Sequence, residues 1–266
     1  MNFQSTIFDI ANEQPLKVAD SLDTIFAVTW NVANPSLERA REQWTWLSQV
    51  GANILILSEI KASQGCDYLH YKLKEAGYNV FNETTNNDSY GVILAIKGFK
   101  FTKIDLGFNY LKSRVISVEI DTFLGKIVVI GLYIPSRGNK EMRNVEKNNF
   151  QNQISSFLKC HKLNIVIIGG DLNVVPRNHT PHHPVFGEWE YAFYEDFGKA
   201  KLIDAFAYFT SGRSDHTWFS RDMNGFRFDF LFISEKIVNK LSYCDHLHEP
   251  RTSKLSDHSA VAIKLL

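Results

Sequence analysis

Residues 165–173 read Ile-Val-Ile-Ile-Gly-Gly-Asp-Leu-Asn, an unbroken apolar run that passes through two glycines into a carboxylate and an amide. A run of β-formers without polar alternation belongs to a strand covered on both faces. A chain built around such a strand needs a sheet with a layer on either side. Further β-rich runs lie at Ile25–Trp30, Ile54–Ser58, Gly91–Ile96, Val115–Ile120, Lys126–Tyr133, Phe226–Ile233 and Ala260–Leu265. Between them, Pro35–Gln49, Cys66–Ala76, Glu141–Lys159 and Glu188–Phe197 carry helical spacing. Leu37, Ala40, Trp44 and Leu47 mark the apolar face of the first, with Ser36 before it and Gly51 after it as start and stop signals. The order, β-α-β, paired strands, α-β and then more strands, implies sheets covered by helices.

The chain shows no internal repeat, low-complexity tract or Pro/Gly-rich linker, so residues 25–266 read as one domain and residues 1–24 as an N-terminal extension. Two polar, turn-rich segments, 82–89 and 175–187, read as loops near the mouth of a site. Lys plus Arg and Asp plus Glu both total 29, for a formal net charge of zero. There is therefore no global attraction for a polyanion, and any nucleic-acid contact has to come from a local patch. Cys66, Cys160 and Cys244 are odd in number and widely spaced, which fits core thiols in a reducing compartment rather than a disulfide framework or a CxxC metal site. With no basic-then-apolar leader in residues 1–20 and no apolar run of about 18 residues, cytoplasmic residence without a membrane partner is the expectation.

In an extended strand Asp171 and Asn173 face the same side. A carboxylate placed there binds or deprotonates a water, and an amide holds the nucleophile or a phosphate oxygen without adding charge. Standing alone, the pair could equally be an Asx-rich strand exit. It does not stand alone. Thr29-Trp-Asn31-Val puts an amide after the first strand, and Leu55-Ile-Leu-Ser-Glu59-Ile-Lys61 ends the second with a carboxylate. Phe226-Arg-Phe-Asp229-Phe-Leu-Phe-Ile buries an acid among aromatics, and Leu255-Ser-Asp257-His258-Ser sets an acid beside an imidazole. A carboxylate in an apolar strand is costly to bury without a metal, cation or hydrogen-bond partner, so these groups imply one shared site. Oxygen donors, few imidazoles and no thiolate suit Mg²⁺, or Mn²⁺, better than Zn²⁺. Phosphoryl transfer is the reaction that most needs a metal, a positioned water and a charge-stabilising His.

With those residues in view, the chain resembles the endonuclease/exonuclease/phosphatase superfamily, and within it the exonuclease III-type AP endonucleases. The motifs are TWNV (29–32), SEIK (58–61), SYGVIL (89–94), SRVISVEI (113–120), GLYIPSRG (131–138), GDLNV (170–174), HTWFS (216–220), GFRFDFLFIS (225–234) and LSDHSAV (255–261), in the family's order. The resemblance implies an α/β four-layer sandwich: two mixed β-sheets packed face to face, helices on both outer faces, and a site at one edge of the sheets. It assigns Glu59 as the principal Mg²⁺ ligand, with Asn31 and Asp257 near the metal or its water shell. Asp171 would deprotonate or align the water, and Asn173 would orient it or the phosphate. His258 would stabilise developing charge, Asp229 would fix its tautomer, and Tyr133 would contact the scissile phosphate or leaving group. Arg114 and Arg137 match phosphate-gripping positions, while Trp218, Phe226 and Phe228 match an aromatic wall, although core packing explains aromatic strand residues equally well.

The implied activity is a Mg²⁺-dependent deoxyribonuclease, an AP endonuclease and/or 3′→5′ exonuclease, acting on double-stranded DNA as a monomer. The same chemistry on RNA or a small phosphoester is the second reading, and a catalytically dead binding module the third. All seven charged or amide residues of the core set are present, which argues against the third. After GDLNV the chain departs from the AP endonuclease pattern, with VPRNHTPHHPVFGEWE in place of an alanine–histidine pair and an acidic stretch, so abasic-site preference stays open. His179, His182 and His183 in that segment read as a solvated or DNA-facing cluster rather than a second metal site.

Overall fold

The computed structural model describes residues 23–84, 90–138, 141–160 and 164–266. The extension read at 1–24 lies outside the described residues as far as residue 22, as do residues 85–89 of the loop read at 82–89. Six strands form the first sheet: β1 (Ile25–Asn31), β2 (Ile54–Ile60), β3 (Asn79–Asn82), β4 (Gly91–Ile96), β13 (Leu241–Leu247) and β14 (Ala260–Leu265), in the order β13-β14-β1-β2-β4-β3. Six more form the second: β5 (Lys100–Lys103), β6 (Val115–Thr122), β7 (Gly125–Tyr133), β8 (Val166–Asp171), β9 (Leu202–Asp204) and β12 (Asp229–Ser234), in the order β5-β6-β7-β8-β12-β9. Each sheet is mixed, with one parallel pair at its centre, β1–β2 and β7–β8.

The inner faces of both sheets share one apolar core that includes Ile54, Ile56, Val92, Val118, Val129, Ile167, Leu231 and Ile263. Helices α1 (Leu37–Val50) and α2 (Gln64–Glu75) bury Ala40, Leu47, Leu69 and Leu73 against the outer face of the first sheet. Helices α3 (Glu141–Cys160) and α4 (Glu188–Lys199) bury Phe150, Ile154, Phe193 and Phe197 against the second. Four layers result, as the apolar strands require. Helix α1 starts where Ser36 accepts from the Arg39 amide and stops at Gly51, whose φ of 69° suits a residue without a Cβ. At the sheet–sheet interface, Gly131 and Gly169 have no room for a side chain, because Val92, Ile56 and Leu231 occupy that space.

The run read as one strand at Phe226–Ile233 is two elements. A small hairpin of β10 (Trp218–Phe219) and β11 (Gly225–Phe226) precedes β12, and Arg227 and Phe228 turn between them. Two short α-helices, α5 (Ala205–Phe209) and α6 (Glu249–Thr252), and two 3-10 helices, Lys112–Arg114 and Glu235–Lys240, complete the described elements. Among the described residues no helix is long and apolar enough to cross a membrane.

Candidate active site

Asn31, Tyr133 and Asp171 end β1, β7 and β8, and Glu59 lies one residue before the end of β2. Strand β12 runs antiparallel to β8 and β14 antiparallel to β1, so the starts of β12 and β14 lie at the same edge as those ends. That brings Asp229 and the Asp257-His258 pair to the same place. Two hydrogen bonds then cross from one sheet to the other, and a third ties the segment before β14 to β12. Asn31 Nδ2 donates to Asp171 Oδ2 at 2.9 Å, the Tyr133 hydroxyl donates to Glu59 Oε2 at 3.2 Å, and His258 Nδ1 lies 2.8 Å from Asp229 Oδ2.

Backbone distortion aims two of these side chains. Between Ser58 and Ile60 the β2–β4 register slips, and Glu59 takes a φ of 62°. Such a bulge re-aims a side chain at a cost the surroundings must hold, here through bonds from Asn31 Nδ2 at 3.0 Å and from Tyr133. Asn173 is likewise left-handed, with φ 49°. Strand alternation therefore does not pair it with Asp171 as the sequence suggested, because β8 ends at Asp171 and a turn follows. The turn gives a tighter result: the Asn173 amide N–H donates to Asp171 Oδ1 at 2.8 Å and its Nδ2 to Asp171 Oδ2 at 3.1 Å.

The electrostatics follow from burial. Asp171 and Asp229 sit directly opposite each other on β8 and β12, both buried. Burial, and then the Asp229 charge, push the Asp171 carboxyl well above the usual carboxylate range, against the opposing pull of His258 and Asn31. For His258, burial alone would lower the pKa, but the Asp229 carboxylate at its Nδ1 outweighs that and holds it up at about 10. The raised pKa favours the imidazolium, and its Nε2 lies 3.4 Å from Asn31 Nδ2. Burial also raises the Tyr133 phenol, with Glu59 and Asp171 adding to the shift, so it stays a donor.

Candidate ligand atoms of Asp171, Asp229 and His258 lie within 4.8 Å of one another. An imidazolium offers no lone pair, and its Nδ1 is already committed to Asp229, so His258 is a poor ligand despite that proximity. The oxygens fit a cation better. Glu59 Oε2 and Asp171 Oδ2 converge on a single amide nitrogen, that of Asn31, and Asp229 Oδ1 is buried without a hydrogen-bond partner. Buried carboxylates in excess of nearby cations, all with hard oxygen donors, suit Mg²⁺ or Mn²⁺. Asn31 itself turns Oδ1 to the Ala33 N–H, so it steers these carboxylates rather than presenting its own oxygen. Asp257 is at the exposed rim, where its Oδ2 accepts from Trp218 Nε1 at 2.9 Å.

Around this mouth Arg114 lies with Cζ 4.6 Å from the Tyr133 ring, and Lys61 Nζ is 4.3 Å from the Tyr90 ring. Arg137 turns away to the buried Glu190, and its guanidinium lies 6.0 Å from the Trp189 ring. Trp218, Phe226 and Phe228 pack together, with Phe226 and Phe228 stacked at 5.0 Å and the Trp218 ring 6.3 Å from His258. Phe228 is buried and the other two are half-buried, so the group is part core and part wall.

The histidine-rich loop differs from the solvated cluster expected of it. His183 is buried, stacks on Phe226 at 3.8 Å and lies with Nε2 2.9 Å from the Gly225 carbonyl. His179 Nε2 accepts from the Arg227 amide at 3.1 Å, leaving His182 as the exposed member. Their apolar faces and backbone bonds fasten the 175–187 loop to the hairpin. Two supporting residues went unread in the sequence although their motifs were visible. Ser256 Oγ donates to the Asn31 carbonyl at 2.6 Å and accepts from the His258 amide at 3.1 Å, and Thr217 Oγ1 accepts from the Phe228 and Asp229 amides.

The sequence profile described as the Endonuclease/Exonuclease/phosphatase family matches residues 28–258. Among solved structures, an AP endonuclease from Archaeoglobus fulgidus superposes with a TM-score of 0.72 at 18% identity, covering 90% of this chain and 98% of that one. The 3′ phosphatase NExo from Neisseria, bound to a product DNA hairpin, gives 0.72 at 17% identity over 91% and 99%. An AP endonuclease from Leishmania major gives 0.71 at 16% identity over 91% and 88%. No curated protein matches the chain in sequence.

Proposed function

The chain belongs to the endonuclease/exonuclease/phosphatase family, a family of phosphoester hydrolases, and from that premise we propose that it is a divalent-cation-dependent deoxyribonuclease that hydrolyses backbone phosphodiesters of double-stranded DNA as a monomer. The observation that carries this reading is the facing pair of Asp171, with its raised proton affinity, and His258, held protonated by Asp229. One group accepts a proton while the other offers charge. In a hydrolysis, water attacks phosphorus and its proton passes to Asp171, while the bond to the leaving oxygen breaks and that oxygen leaves as an alkoxide that takes a proton from solvent, Asp171 later returning its own proton to solvent. Asn31 and Asn173 fix the Asp171 oxygens so that one lone pair faces the water. His258 donates from Nε2 to a phosphoryl oxygen as negative charge builds, and Asp229 keeps the ring in that orientation. The Tyr133 hydroxyl is placed at the same phosphate or at the leaving oxygen.

Glu59, with Asp257 at the rim, would hold the cation. When bound, Mg²⁺ supplies charge neutralisation and polarisation of the phosphoryl group. Arg114 and Lys61 are the cationic side chains beside the mouth and would grip flanking phosphates. The fold-level neighbours named above as AP endonucleases and a 3′ phosphatase support DNA over a small phosphoester. The test is a comparison of labelled substrates in Mg²⁺: an intact DNA duplex, the same duplex with a tetrahydrofuran abasic site, and RNA of the same sequence. Cleavage of DNA with RNA left intact supports the reading. Cleavage of RNA alone, or of neither, overturns it.

A further inference from the structure

Lys147 lies on α3 with its side chain fully buried behind the catalytic edge. A buried ammonium needs partners, and this one has two: Glu190 Oε1 at 2.5 Å and the backbone carbonyl of Asn173 at 2.7 Å. Glu190 is also fully buried, and its Oε2 accepts from the Gly187 amide at 3.0 Å and pairs with Arg137. The segment after β7, the start of α4 and the middle of α3 are thereby tied to the peptide of one residue. That residue is Asn173, whose left-handed φ of 49° persists only where its surroundings hold it. Its side chain is held by the Ile134 carbonyl at 2.9 Å and by Asp171, so a displacement of the turn at residue 173 as a whole would carry its two amide donors off the carboxylate.

We propose that Lys147 is a positioning residue for hydrolysis: by gripping the Asn173 carbonyl it locks the turn that points Asp171 at the attacking water. This rests on the hydrolytic reading above. Stability is a weak alternative reason for the lysine, because replacing a buried ion pair with apolar packing is often neutral or stabilising. Orientation of a polar turn is something an apolar side chain cannot supply.

The experiment uses the full chain. Lys147→Met alone strands Glu190, so Lys147→Met/Glu190→Gln is compared with Glu190→Gln, which keeps both the Asn173 contact and the helix cap. Steady-state cleavage of the DNA duplex in Mg²⁺ is measured for both, and again with Asn173→Ala added to each. The expected result is a kcat lower by about 10- to 100-fold in Lys147→Met/Glu190→Gln than in Glu190→Gln, with KM within about twofold, and a smaller loss from the Lys147 change once Asn173 is alanine. Equal kcat with and without Lys147, or an undiminished loss in the Asn173→Ala background, overturns the proposal. Hydrogen exchange of the Asn173 side-chain amide provides a readout independent of turnover. Exchange at least about tenfold faster without Lys147 supports the proposal, and equal exchange overturns it. Wild-type protein that cleaves no phosphodiester would sink the hydrolytic reading, while the exchange measurement still decides the role of Lys147.

Discussion

His258 Nδ1 lies 2.8 Å from Asp229 Oδ2, with both groups buried, Asp229 at the start of β12 and His258 in the segment that leads into β14. The pair decides the charge of the imidazole. Burial disfavours the imidazolium and Asp229 favours it by more, so the ring keeps its proton up to about pH 10. In Asp229→Asn the largest influence opposing burial is lost, only Asp171 and Asp257 still favour the imidazolium, and the pKa falls. The alkaline limb of the kcat profile is expected to move to lower pH, with a loss of about 10- to 100-fold at pH 8. A profile that keeps its alkaline limb would show that His258 does not act as the imidazolium.

The same shift sets a stability window. An unfolded histidine titrates near about 6.5, so the folded state binds the proton more tightly. The His258 contribution is therefore complete below about pH 6.5 and is lost as pH rises through about 10. Thermal unfolding of the wild type should fall more steeply than that of Asp229→Asn between those pH values.

His179 works in the opposite direction. Burial holds its pKa down at about 4, and its neutral Nε2 accepts the Arg227 amide. The unfolded chain takes up the proton first, so stability from this residue is present above about pH 6.5 and is lost as pH falls toward 4. His179→Gln, which keeps an acceptor, should lose less thermal stability than wild type between pH 7 and pH 4.5. An equal loss would place the acid sensitivity elsewhere.

Gly170 has a φ of 148°, and a Cβ there would run into the Leu132 carbonyl on the neighbouring strand. Gly170→Ala is expected to cost on the order of 3–5 kcal/mol and to lower the denaturant midpoint accordingly. A midpoint close to wild type would mean that β7 and β8 can part without cost.

Glu59 and Asp171 share the Asn31 amide but differ in the role proposed for each. Glu59→Gln should raise the Mg²⁺ concentration needed for half-maximal cleavage by about 10- to 100-fold and recover much of its rate at saturating metal. Asn31→Ala should do the same more mildly. Titration calorimetry with Mn²⁺ checks the affinity change without turnover.

The layered fold and most of the site were legible because buried strands and their polar ends leave strong local signals. Ile165–Gly170 could only be a covered strand, and Asn31, Glu59, Asp171, Asp229 and His258 stand out as polar groups at the ends of apolar runs. Strands β3, β5, β9 and β13 were missed because they are short, or because exposed and polar positions interrupt them, as in β13 with its mixed burial. The bulge at Glu59 and the left-handed turn at Asn173 depend on pairing with distant strands, which no local spacing reports. Lys147 was invisible for a related reason: a lysine on an amphipathic helix reads as solvated, and only the tertiary fold shows it facing Glu190 and Asn173.

The most direct test of hydrolysis through Asp171 is the initial rate of cleavage of a 5′-labelled DNA duplex by wild type in Mg²⁺, by wild type in EDTA, and by Asp171→Ala in Mg²⁺. Cation-dependent cleavage by wild type, absent in EDTA and at least about 10³-fold slower in Asp171→Ala, is the predicted result. Cleavage that persists in EDTA, or at an undiminished rate in Asp171→Ala, would contradict it.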